Sequence, residues 1–223
     1  MTDHALAAIL GEDGGEELWR DTDNVERLLA ARSPEGTGDR LTPAFAALDL
    51  KGRTVADFGC NIGYYAFLAR LMGAARVTGY DNLPRMVQAA AHFAASFGVS
   101  GVRFEVADFY AMPEAPVAEV VLAMDIVGNR KVNEGEALAL YARFLAFSGE
   151  ELVTTLRPVF RLGRNLELDE ARAAALYPGH TRGGRLHFLE CLERAHPGWR
   201  AEVLSASIPG GEFDKHMVRF TRR

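Results

Sequence analysis

Short apolar runs rich in β-branched residues alternate with longer segments of helical periodicity from Arg53 onward. This alternation predicts a parallel sheet whose strands are joined by crossover helices. The predicted strands, in chain order, cover residues 54–58, 76–80, 102–106, 120–124 and 151–156. The predicted crossover helices cover residues 64–72, 84–97 and 134–146, and a glycine directly follows each of the first two, as at many helix C-termini.

The pattern changes after residue 156. Two helices are predicted at 168–176 and 185–195, and two β-like runs follow at 200–208 and 216–221. The connection between these two runs is too short for a crossover, so they must pair antiparallel. The sequence therefore predicts an α/β fold with a mostly parallel sheet and a C-terminal antiparallel hairpin.

The first 52 residues follow a different pattern. Asp21 and Asp23 are candidate N-caps of a helix, residues 33–40 resemble a polar linker, and Thr42-Pro43 opens a short helix. We expect a helical extension over residues 1–52, either a lid over a ligand or a helix packed on the sheet. Residues 53–223 form the predicted α/β domain.

Composition narrows the function classes. The 223 residues carry a net charge of −5, yet residues 151–223 alone hold 12 Lys and Arg against 9 Asp and Glu. An acidic chain without clustered basic residues makes nucleic acid a less favoured partner, although a basic face in the last third leaves it open. The two cysteines, Cys60 and Cys191, lack metal-ligand spacing, so no metal site is predicted. We find no leader peptide or apolar span, which predicts a cytoplasmic protein without a membrane partner.

The segment most informative about chemistry runs from Asp57 to Gly63. It places an acid at a strand end, then Gly59 and Gly63 four residues apart, and then a helix, so that backbone can approach a ligand at a helix N-terminus. A dinucleotide fingerprint would need glycine where this chain has Asn61 and Tyr64. NAD is therefore disfavoured, and the absence of a P-loop pattern disfavours ATP and GTP.

The run D-F-G-C-N-I-G resembles the first motif, D/E-x-G-x-G-x-G, of the class I S-adenosylmethionine-dependent methyltransferases. Asn61 replaces the central glycine of that motif. The resemblance extends in order over residues 53–221 and implies a Rossmann-like, doubly wound, seven-stranded sheet of order 3-2-1-4-5-7-6. It also implies S-adenosylmethionine as the cofactor.

The resemblance assigns roles to strand-end residues. Asp81, 18 residues past Gly63, matches the acid that accepts the ribose hydroxyls, although it could also be a helix cap. Asp108 and Phe109 match the pair beside adenine, and Asp108 could equally cap a turn. Met124 and Asp125 match the position beside the methyl group, where Asp125 could be a base or a loop cap. The remaining expected cofactor contacts are Asp57, Gly59, Cys60, Asn61, Gly63, Tyr64 and Asn82.

A narrower resemblance links residues 52–65 and 73–81 to the bacterial transfer-RNA wobble-uridine carboxymethyltransferases. We expect methyl transfer by in-line displacement, with alignment and water exclusion as the main contributions of the protein. A small-molecule acceptor is favoured over RNA because the chain is acidic, and Asn129, Arg157 and Arg161 are candidate contacts to it. An RNA-modifying enzyme and a non-catalytic cofactor-binding module remain alternatives, and the sequence predicts no oligomeric state.

Overall fold

The computed structural model describes residues 4–10, 22–33, 41–204 and 215–223. Its strands are β1 (Thr54–Phe58), β2 (Arg76–Asp81), β3 (Val102–Val106), β4 (Ala118–Ala123), β5 (Ser148–Leu156), β6 (Val159–Arg161), β7 (Thr181–Arg182), β8 (Arg185–His187), β9 (Trp199–Val203) and β10 (His216–Arg222). Its helices are α1 (His4–Leu10), α2 (Thr22–Ala31), α3 (Thr42–Ala46), α4 (Tyr64–Leu71), α5 (Pro84–Ser96), α6 (Asn129–Asn133), α7 (Ala137–Phe147), α8 (Glu170–Leu176) and α9 (Phe188–Ala195).

The main sheet has the predicted topology. Its strand order is β3-β2-β1-β4-β5-β10-β9, which is the predicted order once the last two strands are renumbered. Strands β3, β2, β1 and β4 pair in parallel, whereas β10 is antiparallel to both β5 and β9. The predicted fold class is therefore confirmed.

The chain divides into two compact units. The first contains Met1–Pro113 and Ala118–Leu122, and its core includes Phe58, Phe67 and Phe93. The second contains Glu114–Val117 and Ala123–Arg223, where the buried rings of Tyr141, Tyr177 and Phe160 contact Phe188, and Phe220 contacts Tyr141. The predicted division at residue 52 stays a prediction.

The predicted helix over 134–146 begins three residues late because α6 precedes it. A glycine with a φ of 79°, Gly135, follows α6, and the N–H of Glu136 donates to the carbonyl of Lys131 at 3.0 Å. This is the hydrogen bond of a Schellman C-cap, which ends α6 and lets α7 begin at Ala137.

The predicted helix over 185–195 is wrong at its start. Residues 185–187 form β8, which pairs with β6 and β7 in a small antiparallel sheet, and α9 begins only at Phe188. Gly183 and Gly184 both have positive φ and join β7 to β8 as a two-residue hairpin turn. His187 therefore ends a strand and does not lie within a helix. The helix predicted over 168–176 begins at Glu170, after the N-cap Asp169.

Several predictions fall on parts of the chain outside the described residues. These are the N-cap Asp21, most of the 33–40 linker, and the end of the 200–208 run with the turn that follows it. Helix α2, within residues 1–52, buries Val25, Leu28 and Leu29 in the first unit. Across the described ranges, no helix is long and apolar enough to cross a membrane.

Candidate functional site

The loop between β1 and α4 has an unusual backbone conformation. Gly59, Asn61 and Gly63 have φ values of 63°, 49° and 90°, in the left-handed region. Asparagine is one of the few residues with a side chain that enters this region readily. The Oδ1 atom of Asn61 also accepts the N–H of Ile62 at 2.8 Å. Asn61 can therefore replace the glycine of the motif without changing the course of the loop.

Close packing fixes the end of this loop. A Cβ atom on Gly63 would lie 2.8 Å from the ring of Phe104 and 2.9 Å from that of Phe67. A Cβ atom on Gly79, in β2, would lie 2.6 Å from Phe104 and 2.9 Å from Sγ of Cys60. Because neither glycine has a Cβ atom, the ring of Phe104 can pack against both of them, and the ring of Phe67 can pack against Gly63. Sequence analysis missed the role of Gly79.

Asp57 is the acid of β1, and its carboxyl group is buried. It is 2% exposed, and its Oδ2 atom has no hydrogen-bond partner among the described residues. The pKa of Asp57 is raised to about 8: burial is the largest cause, a hydrogen bond from the backbone of Ala66 opposes it, and the charge of Asp81 adds to it. A buried carboxyl group with an unsatisfied oxygen fits a ligand that brings a positive charge.

Asp81, at the end of β2, holds the same loop from the other side. Its Oδ2 atom accepts the N–H of Asn61 at 2.8 Å, and its Oδ1 atom accepts the N–H of Leu83 at 3.0 Å. Each carboxylate oxygen can accept more than one hydrogen bond, so ligand hydroxyls can still bind. The structure therefore brings Asp57, Asn61 and Asp81 together, and their expected contacts with the cofactor stay a prediction.

The other predicted contacts of the first unit differ in exposure. Burial raises the pKa of the Cys60 thiol well above its usual value, which keeps it neutral, whereas Asn82 is exposed. Tyr64 and its neighbour Tyr65 are both buried, with their ring centroids 5.3 Å apart. The expected contact of Tyr64 with the cofactor stays a prediction.

Asp108 and Phe109 follow β3. Asp108 is exposed, and its Oδ1 atom accepts the N–H of Tyr110 at 2.9 Å, which is the capping role considered from the sequence. The half-buried ring of Phe109 contacts Phe58 edge-on, with centroids 6.2 Å apart. The exposed ring of Tyr110 lies 4.7 Å from that of Phe109, which makes an aromatic pair that sequence analysis missed.

Asp125 belongs to the second unit and lies just after the end of β4. The residue before it, Met124, is 5% exposed. The backbone of Asp125 has a φ of 58°, an uncommon conformation for a residue other than glycine. The Thr155 hydroxyl accepts its N–H at 2.7 Å and donates to its Oδ1 atom at 2.9 Å. Nζ of Lys215 lies 2.9 Å from the same oxygen. Sequence analysis missed both Thr155 and Lys215.

The predicted acceptor contacts also lie in the second unit. Asn129 donates from Nδ2 to the carbonyl of Asn165 at 2.9 Å, and Oδ1 of Asn165 accepts the N–H of Arg161 at 3.0 Å. Asn129 thus fastens the loop after β6, while Arg157 and Arg161 are half-buried. In the described part of the chain, no three His, Cys, Asp or Glu side chains group closely enough to hold a metal ion.

Comparison with known proteins defines the class. A family model described as "Methyltransferase domain" matches residues 49–188. The chain belongs to this family and is a class I S-adenosylmethionine-dependent methyltransferase domain, which confirms the broader of the two resemblances and the predicted cofactor.

Among curated proteins, the chain is 37% identical over 178 residues to a ribosomal protein L11 methyltransferase from Klebsiella pneumoniae (strain 342), covering 70% of this chain and 60% of that relative. It is 36% identical over 127 residues to the protein of the same name from Aeromonas salmonicida (strain A449), covering 51% of this chain and 43% of the relative. The chain thus spans about half the length of these relatives.

Solved structures share the fold at low identity. Magnesium protoporphyrin IX methyltransferase from Synechocystis PCC 6803, with bound SAH, superposes with a TM-score of 0.54 at 18% identity, covering 90% of this chain and 83% of that one. The ribosomal protein L11 methylase from Lactobacillus delbrueckii subsp. bulgaricus gives a TM-score of 0.50 at 16% identity, covering 82% and 77% of the two chains.

These relatives correct one prediction. The small-molecule methyl acceptor predicted from the acidic charge is wrong, because the curated relatives are named for a ribosomal protein substrate. The net charge of the chain can favour a metabolite over a polyanion as the acceptor. It carries no information on a protein acceptor, which was not among the alternatives predicted from the sequence.

Proposed function

We propose that this chain transfers a methyl group from S-adenosylmethionine to a protein, with a ribosomal protein as the favoured acceptor. The observation that carries the proposal is the 37% identity to a ribosomal protein L11 methyltransferase across 70% of this chain. A ribosomal acceptor would place the reaction in the cytoplasm.

We assign the amino-acid end of the cofactor to the loop from Asp57 to Gly63. The unsatisfied Oδ2 atom of Asp57 supports this assignment, because a cationic group beside it would stabilise the ionised carboxylate. Asp81 would accept the ribose hydroxyls, and Asp108 with Phe109 would bind adenine. Gly59, Cys60, Asn61, Tyr64 and Asn82 are the further residues of this unit that we propose as cofactor contacts, and the contact of Met124 stays a prediction.

S-adenosylmethionine supplies a methyl group that is bonded to a positively charged sulfur. An acceptor atom attacks the methyl carbon in line with that bond and displaces the sulfur. The chain's own contribution is alignment and exclusion of water. Asp125 is suited to orient the acceptor, because Thr155 and Lys215 both bind its Oδ1 atom and so fix the plane of the carboxylate. We keep Asn129, Arg157 and Arg161 as acceptor-side residues in this proposal.

Methyl transfer from radiolabelled S-adenosylmethionine tests the proposal when the purified chain meets ribosomal proteins, transfer RNA and a metabolite extract in parallel. We expect label in one ribosomal protein and none in the other two fractions. Asp81→Ala should abolish transfer, whereas the exposed Asp49→Ala should retain it.

The other outcomes identify the alternatives. Label in transfer RNA would contradict a protein acceptor and favour the narrower sequence resemblance to the wobble-uridine enzymes, which stays a prediction. Tight cofactor binding with no transfer to any fraction would favour a non-catalytic module.

A further inference from the structure

A groove lined mostly by arginine lies on the antiparallel end of the main sheet, within the second unit. Its volume is about 360 Å³. Among the described residues, its lining comes from strands β9 and β10 and the residue after β10: Arg200, Glu202, Arg219, Thr221, Arg222 and Arg223.

Strand register explains why these side chains meet. Arg219 lies opposite Glu202, and Thr221 lies opposite Arg200. Because side chains alternate between the two faces of a strand, these four and Arg223 share one face. Arg222 is held at the rim: its guanidinium lies 4.7 Å from the Trp199 ring centroid and donates to the carbonyls of Ser148 and Gly149 at 2.9 and 3.0 Å.

The lining carries an excess of positive charge. Three guanidinium groups, those of Arg200, Arg219 and Arg223, share this face with one carboxylate, that of Glu202, which pairs with Arg219 at 2.5 Å. Hydrogen bonding to Arg219 lowers the pKa of Glu202, so this acid is ionised and neutralises only one of the three arginines. The Nε atom of Arg219 is buried without an acceptor among the described residues, and Arg200 is exposed. The groove thus offers more positive than negative charge to an anion.

The arrangement favours a ligand with repeated negative charges. Arg223, the residue after β10, lies four residues from Arg219, which is about 13 Å in extended backbone, with Arg200 beside the midpoint. Guanidinium groups match phosphate in a bidentate manner. The described part of the lining has no apolar side chain apart from the stems of the arginines, which does not suit a helix or a hydrophobic peptide anchor.

We propose that this groove binds the phosphate backbone of RNA. The proposal goes beyond methyl transfer and does not require the proposed acceptor. It also explains how a chain of net charge −5 can bind a polyanion, since the attraction comes from a local cluster and the net charge averages over the whole surface.

Fluorescence anisotropy with a labelled RNA of about 20 nucleotides tests the proposal on the full chain without cofactor or acceptor, between about 50 and 200 mM salt. The double variant Arg200→Ala/Arg223→Ala should bind at least about tenfold more weakly, and the slope of log affinity against log salt should fall by about 2. The matched control Arg130→Ala/Arg172→Ala removes two exposed arginines of the same unit and should leave both quantities unchanged.

Three results would overturn the proposal: no RNA binding at the lowest salt, equal losses in the two double variants, or displacement of the RNA by polyglutamate of the same charge at equal concentration. The last would indicate an acidic peptide as the occupant. Because no methyl transfer is measured, failure here is distinguishable from failure of the proposed function. Circular dichroism should show both variants folded.

Discussion

Asp57 and Asp125 both stand at the end of a buried strand, yet their surroundings are opposite. Asp57 is buried with one oxygen unsatisfied, and burial raises its pKa to about 8. Asp125 has a positive φ and receives a hydroxyl group and an ammonium group on one oxygen. Among the described residues, no cation acts on the pKa of the first acid, whereas Lys215 lies 2.9 Å from the second.

The difference indicates that Asp57 and Asp125 have different roles. An uncompensated buried carboxyl lowers the stability of the ligand-free chain and is compensated when a cation binds. A carboxylate already held by Lys215 and Thr155 keeps a fixed orientation whether or not a ligand is present. We therefore expect Asp57 to respond to the cofactor and Asp125 to act as a rigid part of the acceptor side.

The largest expected effect comes from Asp57→Asn. Because the folded pKa is raised from 3.8 to about 8, the folded chain retains a proton that the unfolded chain loses. The contribution of protonated Asp57 to the free energy of unfolding is therefore complete below about pH 4, and it is lost as the pH rises towards about 8. Asparagine removes this dependence, so at pH 8 the variant should be more stable than the parent, by on the order of 5 kcal/mol as an upper limit.

Urea denaturation without cofactor, from about pH 4 to pH 8, measures this difference. Parallel stability curves for the two proteins would contradict it. A second readout is proton release: cofactor binding at neutral pH should expel the Asp57 proton, so the binding enthalpy of the parent should vary with the ionisation enthalpy of the buffer. That of Asp57→Asn should vary less.

A smaller effect is expected from Gly63→Ala, which tests the close packing under the loop. The new methyl group meets Phe104 and Phe67 and also requires an unfavourable φ, so we expect a loss of about 2–4 kcal/mol in the free energy of unfolding. Gly98→Ala is the matched control, because Gly98 has a φ of 62° and open space around it. It should cost only about 1 kcal/mol. Equal losses would mean that backbone strain alone explains the glycine.

The smallest effect is expected from Lys215→Met, which removes the ammonium group from Asp125. The pair is mostly buried, with side chains 24% and 14% exposed, so we expect a loss of about 1–2 kcal/mol in the free energy of unfolding. Arg182→Met breaks an exposed pair with Glu190 and should change it by less than about 0.5 kcal/mol. Thermal denaturation of both variants compares the two. A smaller loss for Lys215→Met than for Arg182→Met would remove the contrast between Asp57 and Asp125.

The parallel part of the fold was predictable from the sequence because hydrophobic periodicity and helix-ending glycines mark it directly. Helices α4 and α5 lie within one residue of their predictions. The loop from Asp57 and the acid Asp81 were predictable for a related reason: strand-end positions in such sheets converge at one edge. The tolerance of Asn61 for a left-handed conformation became visible only from the backbone.

The parts that escaped prediction depend on contacts distant in sequence. The Gly183-Gly184 pair is a hairpin signal, but strands of two and three residues carry too little periodicity to outweigh an apolar helical pattern. Thr155 and Lys215 reach Asp125 across 30 and 90 residues, and no local pattern encodes such pairs. The arginine groove requires the register of β9 against β10, which spacing alone does not give.

Calorimetric titration of S-adenosylmethionine into the parent chain and into Asp81→Ala tests the cofactor site most directly, with NAD as the competing nucleotide and Asp49→Ala as the control. The parent and the control should bind S-adenosylmethionine and ignore NAD. Asp81→Ala should bind at least about 100-fold more weakly, because two hydrogen bonds to a charged group are lost. Binding of S-adenosylmethionine by Asp81→Ala at the parent's affinity, or no binding by the parent, would contradict this site.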